Sequence, residues 1–137
     1  MKRLALCCCA ALLLHTGMVR ACGVCVEDKV AATYDHAVVQ RAAARGQAVV
    51  FCEIVGPVDA AGIRRAARAV RGVDSSTLRI SEVPAAISFV VDASRQSPQA
   101  AARAIQHGLA KGIEVKVLRL ADAKGLREPA GQAPVTR

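Results

Sequence analysis

Aromatic side chains are nearly absent from this chain: no tryptophan, one tyrosine and two phenylalanines in 137 residues. Phe51 and Phe89 are too few for a surface that stacks successive bases, and the glycine-rich third-strand signature of RNA-recognition sheets is missing. Nucleic acid is therefore not an expected partner. Methionine is equally scarce. Met1 and Met18 both fall in the leader segment described below, so the processed chain would carry no thioether ligand, which argues against a methionine-rich copper carrier. No hydrolase triad, carboxylate pair, glycine-rich phosphate loop or nucleotide fingerprint occurs, and an enzyme is not expected. The longest apolar run, Leu4 to Leu14, has 11 residues, whereas a bilayer-spanning helix needs about 20.

That short run has a different meaning in context. Lys2 and Arg3 precede it, and Val19-Arg20-Ala21 places acceptable residues at the −3 and −1 positions of a cleavage site. Residues 1–21 thus read as an export signal, which predicts a bacterial periplasmic location, or a membrane anchor facing the periplasm. Cleavage would leave 116 residues with 16 Lys and Arg against 11 acids, a net charge of +5. This balance suits anionic surfaces. Cys7, Cys8 and Cys9 leave with the apolar run; Cys22, Cys25 and Cys52 remain. An odd count in an oxidising compartment leaves one thiol free, metal-bound, modified or paired between chains.

Residues 22–45 combine the Cys22-Gly23-Val24-Cys25 motif with an amphipathic helix. Val26, Val30, Tyr34 and Val38 recur at helical spacing, and Gly46 stops the pattern. Residues 46–120 then read strand, helix, strand, strand, helix, strand. Ala48–Val55 is β-branched and almost wholly apolar, as a central strand should be. Asp59 caps a helix over 60–71, Leu78 and Ile80 mark a half-exposed strand, and Ala86–Val91 forms a third. Ser97-Pro98 starts a helix to about Ala110, and Ile113–Leu120 is the last strand. The order predicts an α+β, ferredoxin-like βαββαβ sandwich: a four-stranded antiparallel sheet with two crossover helices, preceded by the extra N-terminal helix. One apolar set of the first strand, Val49, Phe51 and Val55, faces away from the crossovers, where that extra helix can cover it. Residues 121–137 read as a disordered, solvated tail.

Ala69-Val70-Arg71-Gly72-Val73 leading to Leu78-Arg79-Ile80, then Ala86–Asp92 and Ile105–Leu118, resemble a heavy-metal-associated domain, the small copper- and mercury-carrying module. The resemblance covers about 70 residues and implies the same fold. The family holds its metal with Cys-x-x-Cys in the loop after the first strand. Here that loop is Val55-Gly56-Pro57-Val58-Asp59-Ala60, so no ligand position is carried over.

The candidate chemistry rests on Cys22 and Cys25. Two sulfurs separated by two residues can close on one soft metal, and copper(I) suits a site with only two thiolates better than tetrahedral zinc does. Cys22 also stands at the position a bacterial lipobox would acylate, and a lipidated Cys22 cannot be a ligand. A local disulfide is a further alternative. Cys52 lies within the first strand and reads as a small core residue. His36 lies 11 residues beyond Cys25, about 16 Å along a helix, and pairs with neighbouring Asp35 rather than joining the cysteines. Arg64, Arg65, Arg68 and Arg71 form one basic stripe, and Arg103, His107 and Lys111 another. The expected function is a small exported binding protein that handles a soft metal through Cys22 and Cys25. The alternative is a metal-free interaction module, with an exported protein or a membrane surface as partner, reached by lipidation or by the basic helix faces.

Overall fold

A run of eight residues with a single polar member, Glu53, forms the central strand β1 (Ala48–Val55). The computed structural model describes residues 25–131. Around β1 the chain builds, in order, α1 (Val26–Thr33) and α2 (His36–Ala44) before it. After it come α3 (Ala60–Ala69), β2 (Val73–Ser81), β3 (Ala86–Val91), α4 (Pro98–His107), β4 (Glu114–Asp122) and β5 (Gly125–Arg127). This is an α+β fold: one five-stranded sheet in the order β2-β3-β1-β4-β5, every neighbouring pair antiparallel, and four helices among the described residues.

Alternation along β1 divides the molecule into two cores. Val50, Cys52 and Ile54 face α3 and α4 and pack with Ile63, Ala67, Phe89 and Ile105. Val49 and Phe51 face α1 and α2 and pack with Val30, Val38, Ala42, Val90 and Ala121. The sheet is therefore covered by helices on both sides. Both crossover helices start as their sequences require. The Asp59 carboxylate accepts from the Gly62 amide at 3.0 Å, and the Ser97 hydroxyl accepts from the Ala100 amide at 3.2 Å, with Pro98 in the first turn.

A bulge in β4 decides which of its side chains enter which core. Phe51 pairs with Arg119, but the next residue, Cys52, pairs with Val117, so Leu118 is an inserted residue. Val115 and Val117 precede the insertion and Leu120 follows it, and all three lie in the α3–α4 core. Unbroken alternation from Val117 would instead send Arg119 into that core. The bulge turns Arg119 to the other face, where it meets Glu27 and Glu128.

Two expectations are corrected. The single helix over 26–45 is two helices. Tyr34 and Asp35 adopt extended backbone, and the Asp35 carboxylate caps α2 by accepting from the Val38 amide at 3.1 Å. The sheet has five strands rather than four, because the segment read as a tail continues β4 to Asp122 and folds back as β5, and Pro129 beyond it is buried. Asp122 drives this hairpin: one oxygen accepts from the Lys124 amide at 2.8 Å and the other from Arg127 at 2.7 Å. Residues 132–137 lie outside the described residues.

Candidate functional site

Cys25 is the residue before the first turn of α1, and its side chain is exposed. Its thiol donates to Asp28 Oδ2 at 3.1 Å, and its backbone N–H reaches the same oxygen at 3.3 Å. The helix that presents it is fixed to the sheet at several points. Val30 is buried against Phe51 and its neighbours. Lys29 pairs with Glu53, Glu27 accepts from Arg119 at 3.2 Å, and the Ser88 hydroxyl donates to the Thr33 carbonyl at 2.8 Å. The exposed thiol therefore stands on a docked helix, next to a carboxylate. Cys22, the other half of the pair, lies outside the described residues, as does the leader expected over 1–21.

The remaining candidates are placed apart from Cys25. Cys52 is 1% exposed in the α3–α4 core, and burial alone pushes its thiol pKa far above the ordinary value. His36 is exposed at the start of α2. The expected partner, Asp35, instead accepts from Arg79 at 2.8 Å. The Val38 amide, and then Arg79, hold the Asp35 carboxyl below the usual carboxylate range. The loop from Val55 to Asp59 contributes the cap of α3 and no sulfur. Among the described residues no cluster of three or more His, Cys, Asp and Glu side chains could hold a metal ion. Within the same span, no helix is long and apolar enough to cross a membrane.

One feature escaped the sequence reading. Tyr34 stacks on Phe51, ring centroids 6.1 Å apart and 11° between planes, yet remains 46% exposed. Leu126 of β5 is 56% exposed, and together they line a groove of about 340 Å³ with Val30, Ala31, Glu27 and Arg119. The groove runs on past Tyr34 and Leu126 along Val39 and Ala43. The signal available in the sequence was the Asp-Ala-Lys-Gly turn at 122–125, which brings Leu126 back beside β4. No family model, curated protein or solved structure was found to match this chain.

Proposed function

We propose that this chain is a small exported binding protein on a ferredoxin-like scaffold related to heavy-metal-associated domains. It takes a soft metal ion, copper(I) foremost, between the sulfurs of Cys22 and Cys25. The strand order β2-β3-β1-β4, with one helical crossover after β1 and another after β3, supports the scaffold; α1, α2 and β5 are additions to it. The observation that carries the metal reading is the exposed Cys25 thiol at the head of a helix anchored to the sheet. A soft ion displaces the thiol proton, which Asp28 is placed to accept at 3.1 Å. Transfer to a partner proceeds by exchange of sulfur ligands. Copper(I) titration of the reduced protein against Cys22→Ser and Cys25→Ser tests it: each variant should lose the tight site, and equal uptake by all three forms refutes the assignment.

A second reading has its own support. Two of the four large apolar side chains most exposed among the described residues, Tyr34 and Leu126, line one groove, as a metal-free interaction module would require. Intact mass of the processed chain separates the two readings at Cys22: an acyl addition removes the metal pair, and free or metal-bridged thiols keep it.

A further inference from the structure

The charge of this protein is concentrated in one layer. The segments 60–72 and 98–112, which hold α3, α4 and the turns that close them, contain Arg64, Arg65, Arg68, Arg71, Arg103 and Lys111 and no acid. The α1–α2 segment, 25–47, balances three cations against three acids. All six cations of the α3–α4 layer are exposed, and none forms an ion pair among the described residues. Elsewhere most described cations are matched: Lys29 with Glu53, Arg79 with Asp35, Arg95 with Asp92, Lys116 with Glu114, Arg119 with Glu27 and Glu128, Arg127 with Asp122.

The two stripes adjoin. A methyl group added at Gly108, the residue that ends α4, would lie 2.8 Å from the Ala66 Cβ, so the helices touch where Ala66 sits between Arg65 and Arg68. Like charges at i, i+4, as at Arg64 and Arg68, repel and weaken a helix. A face selected only for solubility would mix signs.

We infer that the α3–α4 face is an electrostatic docking surface for an anionic lipid membrane. Neither helix carries Phe, Tyr or Trp, so the aromatic platform on which single-stranded nucleic acid stacks successive bases is reduced here to the single imidazole of His107. Alanines lie between the arginines, with no large apolar side chain to insert among acyl chains. Contact therefore ends at the headgroups. A fluid sheet of phosphates matches such a surface through charge alone, and binding is screened by salt.

The chain is expressed with its own leader, recovered as the cell processes it, and mixed with neutral phosphatidylcholine vesicles or with vesicles containing phosphatidylglycerol. The readout is the ratio of the two partition coefficients, which is insensitive to any acyl chain that enters both. Arg64→Gln, Arg68→Gln and Arg103→Gln should each lower the ratio roughly fivefold, and together on the order of a hundredfold. The ratio should approach one at high salt. Arg45→Gln and Lys124→Gln remove the same charge outside this layer and should lower it far less. Equal effects of all five substitutions, or a ratio that ignores salt, overturn the proposal. So does a single-stranded oligonucleotide that binds the chain more tightly than the anionic vesicles at the same salt. Unchanged circular dichroism and melting confirm that the variants are folded.

Discussion

Thr33→Val should make this protein more stable. Thr33 closes α1 and is 3% exposed, and its Oγ1 is the one buried side-chain oxygen or nitrogen without a hydrogen-bond partner among the described residues. An unpaired buried hydroxyl forfeits about 1–3 kcal/mol of lost hydration. Valine has the same shape and nearly the same helix propensity, and it leaves the Thr33 carbonyl free to keep the Ser88 hydroxyl at 2.8 Å. The net gain expected is about 1–2 kcal/mol, or roughly 5–10 °C in Tm for a domain of this size. Thermal and urea unfolding measure it, with an unchanged urea slope showing that only the folded state has moved. Thr33→Ser, which keeps the hydroxyl and removes the methyl, should cost about 1 kcal/mol. Ser88→Ala removes the hydroxyl that donates to the Thr33 carbonyl and should cost about 1–2 kcal/mol. A Thr33→Val protein that melts at or below the parent temperature would show that the hydroxyl has a partner, and the reasoning would fail.

Phe51→Ala should destabilise by about 3–5 kcal/mol, since this side chain is 1% exposed and carries both the Tyr34 stack and the α1–α2 core; equilibrium unfolding and hydrogen exchange in α1 and α2 would report it. Gly56→Ala should cost more than about 1 kcal/mol: φ is +110° there and a new Cβ would stand 2.9 Å from the Gly112 carbonyl oxygen. Asp35, Asp92 and Asp122 all titrate below their ordinary value in the folded chain, through the Val38 amide and Arg79, through Ser94, and through Arg127 and the Lys124 amide respectively. Their folded pKa values lie below the unfolded ones, so their contribution is complete above pH about 5 and is lost as pH falls toward the folded values. Asp35→Asn should flatten the acid limb of a stability-pH curve and leave the neutral plateau lower. Iodoacetamide should modify Cys25 in the native protein and reach Cys52 only on unfolding, which peptide mass mapping resolves.

The two-core sandwich was legible where one residue type dominates a segment. The apolar alternation of Ala48–Val55 gave both the central strand and its need for cover on the second face, and Asp59 and Ser97-Pro98 marked the crossover helices. Periodicity does not mark the break at Tyr34–Asp35, because Val30, Tyr34 and Val38 keep helical spacing across it, although an aspartate three residues before Val38 is also a cap. β5 was missed because Leu126 is one apolar residue in a polar stretch, and its pairing depends on the Asp122 hairpin. The same contact made the Tyr34–Leu126 groove invisible to periodicity. At the amino end, the sequence placed Cys25 at a helix start, and the structure puts it there. Its neighbour in the motif lies outside the described residues. The arginine stripes were visible as spacing, whereas their adjacency depends on the Ala66–Gly108 contact, which only packing reveals.

The strand order also determines how this chain behaves in a crowd. Its flanking strands are β2 and β5. β2 loses its regular pairing between Asp74 and Arg79, over a stretch rich in serine and threonine. β5 is three residues long and ends on an arginine clamped by Asp122. Each margin is kinked or curtailed, so neither offers the long, flat backbone ladder on which another copy could nucleate cross-β growth. A polypeptide with 53% hydrophobic residues thereby keeps its two most apolar described strands, β1 and β3, in the interior of the sheet, with both backbone edges of each paired.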